Sequence, residues 1–199
     1  MGVDTGKDLH VVISRWLGDN KVREVVYLGT RQHYGELDEL IRRYNVALCV
    51  IDALPEIHAT REFASRHAGR VYLNYFLESQ RGAYAWKHDE RIVQENRTEA
   101  LDASRQAIRD RKVVLPRGGA VIQEFAAHMA ADVKQLVEDE DTGAKSFRYV
   151  KTGTNHYSLA FTYDCIAATR FSPIDLSRTG WFHYDEEEHW RNNMLTMRF

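Results

Sequence analysis

Asp4, Asp52, His156 and Asp164 are the residues whose types and surroundings point to chemistry. Asp4 lies in "MGVDTGKDLHVVISRW", inside a stretch that otherwise reads as β-strand, where Asp is depleted. Asp52 closes "VALCVID", whose apolar run from Val46 to Ile51 reads as a strand buried on both faces. His156 and Asp164 belong to "TNHYSLAFTYDCIAATRF", which reads as a helix with Thr154 as its N-cap. Ligand sites in open α/β sheets form where strands end. Two carboxylates on neighbouring strands, facing a helix that offers His or Asp, make an anionic pocket that is costly until a hard cation fills it. Two divalent ions roughly 4 Å apart in such a pocket would stabilise both the attacking and the leaving oxygen of a phosphoryl displacement.

Singly, each residue has a plainer reading. Asp52 alone would be a turn or cap residue. His156 alone would be a solvent-facing histidine at a helix end, and Asp164, between Tyr163 and Cys165, a core-edge residue with a hydrogen-bond partner. Along a helix, His156 and Asp164 are separated by about 80° around the axis and about 12 Å along it, so they are not expected to share one ion. One of them completes the site; the other serves a second ion, acts as a base or is structural.

The elements that must position these groups follow from periodicity. "LHVVISRWL" and "REVVYLG" read as strands joined by the turn signal "GDNK". "YGELDELIRRYN" places Leu37, Leu40, Ile41 and Tyr44 at helical spacing. "PEIHATREFASRHAG" is a helix with Pro55 near its first turn and Gly69 at its end, and "RVYLNYF" is a strand. Residues 78–96 read as a β-hairpin or extended excursion, "RTEALDASRQAIRDR" as a helix, and "AVIQEFAAHMAADVKQLVEDE" as one long helix. "DTGAKSFRYVKTG" reads as a turn and hairpin, and residues 171–199 as an irregular tail. Antiparallel strands first and helix-alternating strands later call for an α/β fold, a mixed sheet covered by helices.

Bulk composition narrows the classes. The chain has 199 residues, 44% hydrophobic and 28% charged, which suits one soluble domain with a full core. Its net charge of -2 supplies no global basic field, so contact with nucleic acid would be local or metal-mediated. Cys49 and Cys165 lie in apolar stretches without CxxC or zinc spacing and read as buried, reduced thiols. No apolar run approaches a membrane span, and Asp4, Lys7 and Asp8 interrupt any signal peptide, so a cytosolic context without membrane contact is expected.

The ordered set "GVDTG", "LCVIDALP", "ENRTEALD" and "TNHYSLAFTYDCIAA" resembles the C-terminal nuclease domain of tailed-bacteriophage large terminases, over residues 1 to about 170. The resemblance implies an RNase H/RuvC-like fold with added β-hairpins, as a single nuclease domain over 1–199. It also implies Mg2+ or Mn2+ at an acidic cluster, two ions in all, and cutting of concatemeric double-stranded DNA. Carried over by position, Asp4 is the first-strand carboxylate, bridging both ions, and Asp52 the second, holding one. In the RuvC-like register of the last helix, the position expected to be Asp is Leu159, so His156 or Asp164 provides the third ligand. The implied partners are DNA, a packaging ATPase domain of the same protein, a portal and a small terminase subunit, in the cytoplasm of an infected bacterial host. The start three residues before Asp4 reads as a nuclease domain separated from its motor. "TGAKS" (142–146) lacks the full phosphate-loop pattern and reads as a turn.

Candidate DNA contacts are Arg81 and Lys87 in "QRGAYAWKH", then Arg91, with Lys145, Arg148 and Lys151 on the later hairpin. Three other readings remain: a junction resolvase or transposase of the same fold, a non-catalytic RNase H-like scaffold that binds DNA or a partner, and, least fitting, an aspartic protease from the "DTG" triplet. The second "DTG", 141–143, lies in a charged stretch without the apolar strand that a protease needs.

Overall fold

A computed structural model describes residues 1–18, 22–138 and 143–171. The expected tail from 172 and the "GDNK" turn, apart from Gly18, lie outside the described residues. β1 (Gly2–Asp4), β2 (Leu9–Leu17) and β3 (Val22–Arg31) form an antiparallel meander, followed by α1 (Tyr34–Arg43) and β4 (Cys49–Asp52). Then come α2 (Ile57–Arg66), β5 (Val71–Phe76), the hairpin β6 (Ala85–Lys87) and β7 (Ile92–Glu95), and α3 (Arg97–Arg109). The chain continues through β8 (Val113–Val114), α4 (Ala120–Ala130), β9 (Asp132–Glu138), β10 (Lys145–Lys151) and α5 (His156–Ala168).

Eight strands make one sheet in the order β6-β7-β5-β4-β1-β2-β3-β8. β1, β4, β5 and β7 run parallel, and β2 runs against its neighbours. The central order β3-β2-β1-β4-β5, with only β2 reversed, is the strand plan of an RNase H-like sheet. Parallel neighbours need crossover connections, and α1 and α2 provide them.

Alternation along the strands divides the core into two layers. Val3, Val11, Ile51 and Leu73 point to one face, where Leu37, Leu40 and Ile41 of α1 and Phe63 of α2 cover them. Val50, Tyr72 and Val93 point to the other, against Ala100 of α3 and Tyr163 and Ile166 of α5. Phe125 of α4 packs with Phe161 and Tyr157 over Val12 on that same side. α5 is apolar on nearly every face, as a helix enclosed by a sheet and two helices must be. It crosses so close to β1 that a Cβ on Gly2 would overlap the Ala160 carbonyl oxygen and the Asp164 amide nitrogen. Gly2 therefore sets the depth at which α5 lies on the sheet.

Two expectations need correction. The long helix stops at Ala130, and residues 132–138 form β9, paired with β10 as a separate hairpin. The reason is Asp132. Its buried carboxylate accepts bonds from Asn155 Nδ2 at 2.9 Å and Ser158 Oγ at 2.7 Å, with Arg97 and Arg105 each at 3.5 Å. Those partners pull the chain out of the helical path, a tertiary contact overriding local propensity. The N-cap of α5 is Asn155 rather than Thr154; its Nδ2 donates to Asp132, and its side chain makes no cap. Lys145 and Ser146 of "TGAKS" open β10, and Thr142 lies outside the described residues. Both cysteines are free thiols; Cys49 is buried and Cys165 only partly so. Among the described residues, no helix is long and apolar enough to cross a membrane.

Candidate active site

The parallel register fixes the first two acidic residues. Val3 pairs with Ile51 across β1 and β4, so Asp4 and Asp52 are the next step on adjacent strands and point to the α5 side. Asp4 is buried at 2% exposure. Burial raises its carboxyl above the usual value, against the hydrogen bond and charge of His156. Burial also raises Asp52, to about 6, and the nearby Asp4 charge adds to the rise. Two carboxylates that both resist ionising are an electrostatic mismatch, which a divalent cation relieves.

His156 opens α5 directly over Asp4, with its Nδ1 2.7 Å from Asp4 Oδ2. With Asp4 ionised, Nδ1 donates to Oδ2, and the neutral ring then keeps its lone pair on Nε2. The bond to Asp4 raises the proton affinity of the imidazole. His10, the cross-strand partner of Asp4 on β2, stacks on His156 at 4.5 Å between ring centroids. Burial lowers its pKa to about 4, so it is neutral. Asp4, His10 and His156 each offer a ligand atom within 4.8 Å of the others. His128 plays a different part, because its Nδ1 accepts the Tyr157 N–H at 3.2 Å and so caps the start of α5.

Asp164 does not join this group. It lies two turns further along α5, over the opposite end of β1. There its carboxylate accepts from Arg23 at 2.6 Å and from Ser14 Oγ at 2.6 Å, and lies 3.3 Å from the Met1 ammonium. Burial opposes its ionisation, but the Met1 ammonium, Arg23 and Ser14 outweigh burial and hold it below the usual value. Asp164 is thus half of an enclosed ion pair, and of the two candidates for third ligand the structure brings only His156 to Asp4.

A further acid went unnoticed in the sequence. Glu95 ends β7 at 1% exposure. Burial pushes its carboxyl up to about 8, with the neighbouring Asn74 amide opposing the rise and the Asp52 charge adding to it. Among the described residues, neither Glu95 oxygen has a hydrogen-bond partner of ordinary geometry, nor does either amide atom of Asn74 at the corresponding point of β5, nor the buried Tyr163 hydroxyl facing Asp52. A signal was present. The four parallel strands read Gly2-Val3-Asp4, Val50-Ile51-Asp52, Tyr72-Leu73-Asn74 and Val93-Gln94-Glu95. Each places a polar residue two steps beyond one that faces α5, which only the shared register reveals. This row of oxygen donors, buried at Asp4, Asn74 and Glu95 and half-buried at Asp52, fits a hard cation such as Mg2+ or Mn2+.

The expected DNA contacts separate into two groups. Lys151 closes β10 near the site, where its charge acts on Asp4, His156 and His128. Arg81 and Arg148 line a cleft of about 410 Å3 with Asn96, the residue after Glu95, and Lys145 pairs with Glu138 at 3.4 Å further out on the hairpin. Lys87 and Arg91 do not gather here. β7 runs away from them toward Glu95, and the Arg91 guanidinium donates to the Ala64 carbonyl of α2. The hairpin reversal turns neighbours in sequence toward opposite ends of the sheet.

The sheet order and the row of acids at its parallel strand ends define an RNase H-like α/β domain with a candidate cation site. No family model matches the chain, and no curated protein matches it. Among solved structures it is similar to the large terminase nuclease from thermophilic phage G20c, with TM-score 0.45 and 12% identity over 83% of this chain and 89% of that one. It is similar at the same TM-score and identity to that nuclease with bound magnesium, over 83% of this chain and 88% of that one.

Proposed function

We propose that the chain is a metal-dependent endonuclease domain of a DNA-packaging terminase, hydrolysing phosphodiesters of double-stranded DNA. The observation that carries this reading is the placement of Asp4 and Asp52 side by side at the ends of β1 and β4, with His156 bonded to Asp4 from α5. The sequence motifs supply the terminase part of the reading. So do the expected partners, namely a packaging ATPase domain, a portal and a small terminase subunit, and the expected setting in infected bacterial cytoplasm.

Asp4, Asp52 and His156 would hold Mg2+ or Mn2+, which when bound polarises a phosphate oxygen and eases deprotonation of water. His156 would offer its Nε2 lone pair to the ion, its ring oriented by Asp4 and by the stacked His10. Lys151 offers a cation at the rim for a DNA phosphate, and Arg81 and Arg148 extend that path along the neighbouring cleft. Such contacts fix position rather than sequence, which suits a nuclease that cuts without base readout.

Plasmid cleavage in Mn2+ tests the reading. Asp4→Ala and Asp52→Ala are expected to abolish cleavage while circular dichroism shows the fold retained. Cleavage by either folded variant at the wild-type rate overturns it. Preference for branched over linear DNA would identify a resolvase instead, and DNA binding without cleavage by the wild type in Mg2+ or Mn2+ a scaffold.

A further inference from the structure

Asp132 opens β9 with its carboxylate fully enclosed. Two of its bonds go to the start of α5, on either side of His156. Asn155 Nδ2, at the N-cap, donates at 2.9 Å, and Ser158 Oγ donates at 2.7 Å. Arg97 and Arg105 of α3, each at 3.5 Å, supply the positive charge that an enclosed carboxylate needs. Arg105 also donates to Ser158 Oγ at 3.2 Å, so that hydroxyl is held from two sides. Across the hairpin, Asp132 is the register partner of Lys151. The next residue, Thr152, donates its N–H and its Oγ1 to the Ala131 carbonyl, at 2.8 and 2.9 Å. The base of the hairpin, α3 and the first turn of α5 are therefore fastened together at one carboxylate.

The structure assigns Asp132 the part of a positioning residue, which holds His156 over Asp4 and sets the cationic hairpin against the same turn of α5. That part rests on the proposed nuclease reading and adds to it the group that keeps its pieces in register. His156 lies one residue after Asn155 and two before Ser158, so the imidazole moves with any shift of that turn. A ring that meets Asp4 Oδ2 at 2.7 Å tolerates little movement, because a hydrogen bond weakens steeply as it bends. The N-cap side chain makes no bond back to the helix, so the turn depends on contacts from outside it, those of Asp132 and His128. Lys151, whose charge acts on Asp4 and His156, is placed by the same anchor. A DNA phosphate seated on the hairpin would thus lie at a set distance from His156. Tyr149 offers a contrast, because its hydroxyl donates to Asp102 at 2.9 Å and fastens the same hairpin through α3 rather than α5.

The test is the hydrogen-bonded Nδ1–H of His156, observed by proton–nitrogen NMR of the intact, metal-free chain, together with Mn2+ affinity read by electron paramagnetic resonance. In the wild type the Nδ1–H signal is expected well downfield, assigned by its absence from His156→Gln. Asp132→Asn and Asn155→Ala should lose that signal or move it upfield. Both should bind Mn2+ about tenfold or more weakly, the scale on which losing the support of a metal ligand costs affinity. Tyr149→Phe, which loosens the hairpin from α3, should keep the signal and the affinity of the wild type. Asp132→Asn leaves Arg97 and Arg105 without their counter-charge; if it fails to fold, Asn155→Ala, which keeps the carboxylate, carries the same expectation. Wild-type signal and affinity in either folded variant, or an equal loss in Tyr149→Phe, overturn the inference. If the variants lose the signal but the wild type cuts no DNA, Asp132 keeps its part and the nuclease reading fails. A wild type that cuts DNA, with the signal unchanged in both folded variants, does the reverse.

Discussion

His156 Nδ1 and Asp4 Oδ2 stand 2.7 Å apart although the residues are 152 positions apart in the chain. The contact ties the first turn of α5 to the end of the first strand and holds the imidazole in one orientation. His156→Ala is therefore expected to slow Mn2+-dependent cleavage by about a hundredfold, the scale on which disturbing a metal site costs activity. His156→Gln, which fills the space without a titratable nitrogen, should be equally slow. A rate within twofold of wild type for both would remove His156 from the site.

Asp164 should behave in the opposite way. Asp164→Asn leaves Arg23 buried at 5% exposure without its charge partner, and breaking such a pair costs about 3–5 kcal/mol. Urea unfolding should show that loss, while Mn2+ affinity of the folded variant stays at the wild-type level. Loss of metal binding with unchanged stability would reverse the assignment.

The same ion pair sets a pH dependence. The folded-state value of Asp164 lies below its ordinary 3.8, so its contribution to stability is present above 3.8 and is lost as pH falls through the folded value. The urea midpoint of the wild type should fall between about pH 5 and about pH 2, and Asp164→Asn should lose less over that range. Parallel acid profiles for the two proteins would show that Asp164 does not contribute.

Gly2 is a steric prediction. Gly2→Ala places a methyl group against the backbone of α5 at Ala160 and Asp164, which flexible side chains cannot relieve. A loss of about 1–3 kcal/mol or more is expected in thermal or urea unfolding, together with weaker metal binding as α5 and His156 shift from Asp4. An unchanged melting temperature would mean that α5 does not lie this close.

Lys151 bears on DNA. Lys151→Ala should weaken binding of unrelated duplexes to the same degree and reduce the salt slope by about one. Lys87→Ala and Arg91→Ala, at the turn of the β6–β7 hairpin away from Glu95, should leave both quantities unchanged. Equal effects at all three positions would place the DNA across the whole sheet.

Local periodicity and residue depletion were enough to read the strand–helix order as far as α4, the two-faced burial of Cys49–Ile51 and the placement of Asp52 at a strand end. Register was beyond their reach. Asn74 and Glu95 became neighbours of Asp52 only through parallel pairing of strands that lie far apart in the chain. Local pattern likewise extended α4 through Asp132, because the pull on that residue comes from Asn155, Ser158, Arg97 and Arg105 in other parts of the chain. The choice between His156 and Asp164 was tertiary for the same reason. Both lie on one helix, and only the crossing of α5 over β1 sets one against Asp4 and the other against Arg23.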